Sequence, residues 1–383
     1  MNKKKSFSLY VHIPFCSYKC PYCDFNTYAL KKIPEKDYLK ALLGELELSL
    51  SNSIWKNRIV ETVYFGGGTP SIFSANSIEK ILKKIPLKKN AEITLEANPK
   101  EISLSKLKKL RSIGVNRISL GSQSLNNKTL KSLGRKHTRK DTLQTLKNAK
   151  IAGFENINLD LIFAVPNQTF EELEMDLNEY SHLDIQHIST YELTIEKGTP
   201  FYLSYKNKLL KKPKETQTIK MYRYIRRFLG KKKFKQYEIS NFAKNNFYSR
   251  HNSNYWNHTD YLGIGAGSSS FYMKDNGAVR LKNLSLPNIY IKNLLEKKLP
   301  LAWQEKLNKN DLIFEHIFLG LRKSKGFNYK KIEHLLNERD KAKINIIIKN
   351  LELENLLKKK DSYVALTPRG QELVDSITEQ FIL

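Results

Sequence analysis

The chain has 383 residues, 40% of them hydrophobic, and a formal net charge of +28. That length suggests two to three domains with enough apolar material for buried cores. No segment reaches the roughly 18 apolar residues of a membrane span, and no apolar core with a cleavage site follows the basic start, so a soluble cytoplasmic protein is expected.

The first strand candidate, Ser8–Ile13, leads into the three cysteines of the chain, Cys16, Cys20 and Cys23. Their C-x3-C-x2-C spacing lets one loop wrap an iron–sulfur cubane and ligate three of its four irons. The fourth is left open to a chelating ligand such as the amino and carboxylate groups of S-adenosylmethionine (SAM). Two other readings compete. A zinc site wants four ligands, and His12 or His137 would have to complete it without supporting pair spacing. Disulfides would leave one cysteine over, in a chain without a secretory signal.

Further strand candidates follow at Thr62–Gly67, Glu92–Ala97, Arg117–Ser122, Asn156–Ile162 and His187–Thr194. Between them apolar residues recur at helical spacing, as at Leu39, Leu42, Leu43 and Leu46, and again at Ile78, Ile81, Leu82 and Ile85. Strands separated by helical crossovers run parallel most readily, which predicts an α/β fold: a partial (β/α) barrel of about six units. In such barrels reactive groups come from the C-terminal strand ends. The cysteine loop, the Gly66–Pro70 turn, Glu96 with Asn98, Gln123 and Asp160 all fall on that rim. Glycines after a strand let backbone amides approach an anion closely, although a triple glycine is also simply a tight turn. Glu96 and Asp160 suit a ribose hydroxyl or an ammonium, or are satisfied by backbone or Arg117. Gln123 as a helix cap and Arg135 as a surface arginine are the plain alternatives.

The motifs VHIPFCSYKCPYCDF, GGGTP, LEANP, SLGSQSLN, LGRKH and LDLIFAVPNQT together resemble the radical SAM superfamily. The resemblance is to the branch that holds the oxygen-independent coproporphyrinogen III oxidases and the heme chaperones, and it runs through most of the chain. It implies a 4Fe-4S cluster on Cys16, Cys20 and Cys23, with SAM on the open iron. Tyr10 and Tyr22 would be aromatic neighbours, Gly67, Gly68 and Thr69 would contact the methionine end, and Glu96 would be a further SAM contact. Gln123, Arg135 and Asp160 match positions that hold a second SAM in the oxidases. Two departures point to the chaperones: Phe25 stands where the oxidases carry another cysteine, and only fifteen residues precede Cys16. In YSRHNSNYWNHTDYLG, HN-x-x-YW resembles a chaperone signature and makes His251 the candidate axial heme ligand, the alternative being a hydrogen-bonded structural corner. Relatives often have a histidine near Ser269, where this chain has three serines.

After Pro300 the pattern turns helical. Ile313, His316, Ile317 and Leu321 share one face, Leu335 and Leu336 lie on another segment, Ile344–Leu357 reads as a helix, and a strand with a closing helix follows. This resembles a winged helix. The expected division is residues 1–240 for the barrel, 241–300 for its extension and 301–383 for a smaller, mostly α, winged-helix-like domain. The lysines are spread over almost every helix, without a basic stripe interleaved with aromatics, so no specific nucleic-acid partner is expected. Salt-dependent attraction to RNA or an anionic membrane surface is. The expected function is a heme chaperone that hands heme to an acceptor protein; the competing reading is a radical SAM oxidase of coproporphyrinogen. A homodimer is left open.

Overall fold

The computed structural model describes residues 5–274 and 277–382; Lys3 and Lys4 of the basic start lie outside them. Six strands form where the apolar runs predicted them: β1 (Ser6–Ile13), β2 (Ile59–Gly67), β3 (Leu87–Ala97), β4 (Arg117–Gln123), β5 (Asn156–Phe163) and β6 (His187–Glu192). They are parallel neighbours in chain order within a twelve-stranded sheet. Helices return the chain between them, as parallel pairing demands. Two of these helices start at capping boxes, Thr138 with Asp141 and Thr169 with Glu172, which satisfy backbone donors on both sides of each N-terminus.

The barrel does not close. Tyr261–Ile264 pairs with β1, and Ser269–Lys274, Gly277–Asn283 and Leu301–Leu307 continue the sheet antiparallel, while Asn241–Ala243 runs antiparallel along β6. Leu301–Leu307, counted from sequence with the C-terminal domain, is thus an edge strand of the large sheet. Its residues are exposed except Leu307, so no burial alternation marked it.

The alternation within β1–β6 separates two faces. Phe7, Leu9, Val11, Val63, Phe65 and Leu95 are buried in the apolar core. On the other face polar groups meet: Thr62 donates to Ser8 (2.9 Å), Tyr64 to Glu96 (2.7 Å), and Asn158 to both Ser119 and Asp160 (2.8 Å each). The inner face of this barrel is therefore hydrophilic, and its apolar core lies outside, under the helices.

A second core, including Ile313, Ile317, Phe327, Ile344, Val364 and Phe381, holds the C-terminal unit together. Its three-stranded sheet is Phe327–Asn328, Tyr363–Leu366 and Leu357–Lys360. The helix expected over 344–357 spans Glu338–Leu353 instead, because Asn355 takes a left-handed φ of 56° and turns the chain into the strand at Leu357. Leu335 and Leu336 lie past a short helix, Lys330–Glu333, and not within one. No helix among the described residues is long and apolar enough to cross a membrane.

Glu45, fully enclosed between the first crossover helix and the sheet extension, ties the two together. It accepts from Gly265 N–H (2.8 Å), the Asn283 amide (2.5 Å) and the Tyr290 hydroxyl (2.5 Å). Burial pushes its carboxyl up to about 7 against these hydrogen bonds. A carboxyl raised in the folded state contributes stability that is present below its unfolded pKa of about 4.5 and is lost as pH rises through about 7. Glu45→Ala is expected to destabilise by about 2–4 kcal/mol at pH 5 by orphaning three buried donors, and the gap should narrow by pH 8. Denaturant unfolding at the two pH values measures both; a gap that widens with pH would contradict the assignment.

Candidate functional site

The loop between β1 and the first crossover helix carries all three thiols; Cys16 and Cys20 are buried and Cys23 is half-buried. Each sulfur has a polar neighbour. The Arg135 guanidinium donates to Cys20 Sγ (3.2 Å), the Thr69 hydroxyl donates to Cys16 Sγ (3.6 Å), and Thr27 Oγ1 stands 3.9 Å from Cys23 Sγ. Burial raises the Cys16 thiol to about 11 and the Cys23 thiol in the same direction, so thiolates form here against a compensating cation such as iron. Among the described residues no three His, Cys, Asp or Glu side chains converge closely enough to hold one metal ion. A cubane asks for wider spacing, one thiolate per iron corner, and hydrogen bonds onto its sulfurs suit it. The three thiols and their donors fit that group.

The glycine turn is locked onto this loop by close approach. Gly68 and Thr69 N–H donate to the carbonyls of Ile13 and Phe15 (2.9 and 2.8 Å). A Cβ on Gly68 would lie 2.5 Å from the Phe15 oxygen and 2.9 Å from Cys16 Sγ, and one on Gly67, at φ 117°, would lie 2.7 Å from the His12 ring. Glycine is needed at both positions. Gly68→Ala is expected to cost about 1–3 kcal/mol by overpacking and to lower iron uptake on reconstitution by displacing Cys16. Iron per chain beside an unfolding curve tests it; unchanged iron content would show that the loop tolerates the shift.

His12 is a strut. Its Nε2 lies 3.0 Å from the Asn26 carbonyl, which can only accept, so Nε2 carries the proton and Nδ1 accepts from the Tyr10 hydroxyl (2.9 Å). Tyr10 therefore anchors the cysteine loop through His12, and its ring stacks on Tyr64 at 6.2 Å. Tyr22 packs edge-on against Phe201 (6.1 Å) on the other side of the loop.

The remaining predicted residues converge on the rim. Glu96 accepts from Gly67 N–H (3.2 Å) and Tyr64, and burial, with Asp160 nearby, holds its carboxyl at about 7. Asp160 is raised too, mainly by burial. Arg135 reaches the Gly121 carbonyl (2.9 Å) and Asn98 (2.6 Å), whose amide bonds Thr69 (3.0 Å) and Glu101 (2.8 Å). Glu101 also accepts from Ser17 on the cysteine loop. A Cβ on Gly121 would stand 3.0 Å from the Gln123 amide and 3.1 Å from Asn98 Oδ1, so Gln123 joins the same group. It gets there by a register break after Leu120 and a left-handed φ of 66°. Asn98 and Glu101 bridge thiol loop and rim, yet composition gave no reason to single out Glu101.

His251 is not on the rim. It opens a short helix, Arg250–Trp256, whose first N–H groups donate to the Glu92 carboxylate, toward the N-terminal halves of β2 and β3. Its Nδ1 bonds Thr62 Oγ1 (2.9 Å), and its Nε2 bonds the Tyr255 hydroxyl (2.8 Å). Since Thr62 donates to Ser8, the Nδ1–H donates to Thr62 and the Nε2 lone pair is taken by Tyr255. Burial, with Arg117 adding to it, drops its pKa to about 3 and keeps it neutral. The expected axial heme ligand is here a fully buried corner of the barrel floor, because both ring nitrogens already have partners.

A parallel β/α sheet with a three-thiol loop, a glycine turn and a polar rim defines a radical SAM protein, and the profile of the Radical SAM superfamily matches residues 10–179. The HemN C-terminal domain matches residues 307–373. The chain belongs to the heme chaperone HemW family of that superfamily. It is 37% identical to heme chaperone HemW of Lactococcus lactis, over 99% of this chain and 98% of that one, and 35% identical to that of Bacillus subtilis, over 98% and 99%. A mitochondrial radical S-adenosyl methionine domain-containing protein 1 of Danio rerio is 32% identical over 98% of this chain and 87% of its own. The fold is shared with coproporphyrinogen III oxidase HemN of Escherichia coli, at TM-score 0.84 and 24% identity over 99% of this chain and 90% of that one.

Proposed function

We propose that this chain binds heme and passes it to an acceptor protein, and that it carries a 4Fe-4S cluster on Cys16, Cys20 and Cys23 with SAM at the open iron. Phe25 carries the choice of carrier over oxidase: the side chain two residues beyond Cys23 is a 65% exposed phenyl ring that can ligate nothing. The bound cluster would supply an electron to SAM or a docking point for it. Around it, Thr69 and Arg135 hold protons toward Cys16 and Cys20 sulfur, Gly67 and Gly68 let the glycine turn lie against the cysteine loop and Glu96, and Glu96 with Asp160 offers carboxyl groups to the ligand's polar end.

The complete rim also supports a second reading, cleavage of SAM to a radical that abstracts hydrogen, because Gln123, Arg135 and Asp160, which match positions that hold a second SAM in the oxidases, are all present on it. Anaerobic reconstitution followed by SAM, reductant and coproporphyrinogen, beside a hemin titration, separates the two. Stoichiometric hemin binding without porphyrinogen decarboxylation supports the carrier. Decarboxylated product would return the chain to the oxidases.

A further inference from the structure

A cavity of about 1060 Å³ forms a groove on the cluster's side of the barrel, beginning at Ala164 just after β5 and at Glu192 and Leu193, where β6 ends. Its far wall is the segment 205–219, joining the short helix Pro200–Lys206 to the long helix Glu215–Lys231. That segment is not absorbed by the site described above. Leu193, Tyr205, Leu210 and Ile219 give the groove apolar sides, and Lys206, Lys208, Lys211 and Lys212 ring it. Beside it Leu203 and Leu209 stand 59% and 82% exposed, an unusual amount of bare aliphatic surface between lysines.

We propose that this groove binds heme, its ring against the apolar sides and its two propionates on the lysines; the inference rests on the heme-carrier reading. Three observations carry it. The volume lies just above the roughly 300–1,000 Å³ of drug-sized ligand sites, which leaves space for a macrocycle. The charge is complementary to a dicarboxylate: Glu372 is taken up by a two-point contact from Arg223 (2.9 and 2.6 Å), leaving four lysines against Glu192 and Glu215. The floor is continuous with the cysteine loop: Leu193 and Leu210 pack in one cluster with Phe201 and Tyr22, and Phe201 N–H donates to the Pro21 carbonyl (3.0 Å). A ring seated there lies one layer of side chains from the thiols. The groove thus puts cargo beside cluster with no part for His251.

The test is hemin titration of the whole chain and of the triple variant Lys208→Glu, Lys211→Glu, Lys212→Glu, all exposed positions. Lys358→Glu, Lys359→Glu, Lys360→Glu on the C-terminal hairpin serves as a charge-matched control. The groove variant is expected to bind hemin roughly tenfold or more weakly at low ionic strength, the control within about twofold of wild type. Hemin dimethyl ester, which lacks the carboxylates, should bind wild type and groove variant alike. Equal hemin affinity in wild type and groove variant, or equal loss in both triples, overturns the groove. So does unchanged hemin affinity with lost binding to phosphatidylserine vesicles, which would give the lysines to a membrane. No stoichiometric hemin binding by wild type would overturn the carrier reading itself, and the groove with it.

Discussion

Replacing any one of Cys16, Cys20 or Cys23 by Ala is expected to bring iron after anaerobic reconstitution from about four per chain to near zero, with loss of the cluster's visible absorption and EPR signal. Two thiolates on a short loop do not hold a cubane whose fourth iron has no protein ligand at all. The fold should survive, because β1 to β6 draw their cohesion from the apolar layer under the helices and not from the loop. Circular dichroism should therefore be nearly unchanged in the same variants. A full cluster signature in any of them would refute the ligand assignment, whereas loss of cluster together with loss of helix would show only that the loop is structural.

His251→Ala is expected to act on stability first. It orphans Thr62 and Tyr255, each hydrogen-bonded to a ring nitrogen, and opens a cavity among Tyr10, Tyr64 and Tyr255. Together these cost about 2–4 kcal/mol. Hemin affinity of the folded fraction should change little, as neither nitrogen faces open space. Denaturant unfolding and a hemin titration on the same preparation decide it. Unchanged stability with lost heme binding would restore this histidine as an iron ligand and require the floor helix to move.

The contrast between these two sites shows what sequence carries. The thiols, the glycines and the strand-end carboxylates were legible because local spacing and position at a strand end fix both identity and place. The helix 250–256 was not, because whether a histidine faces ligand or floor depends on contacts across more than 150 residues, from Glu92 to His251. The strand Leu301–Leu307 was missed for lack of a buried face, and the hairpin strand at Leu357 because three lysines follow it. Glu45 was hidden inside an ordinary amphipathic helix, where a buried glutamate is spelled like an exposed one. The groove, too, is not legible in the sequence: lysines between leucines do not show what they face until the end of β6 is placed opposite them.

The helix that carries His251 closes the barrel toward its N-terminal end, so the hydrophilic interior is a cup with one lip. A ligand that reaches the carboxyls of Glu96 and Asp160 would have to approach from the strand ends, on the side of the cysteine loop. The two proposed ligands, SAM among the rim residues and heme in the groove where β6 ends, would then come and go from the same side of the sheet.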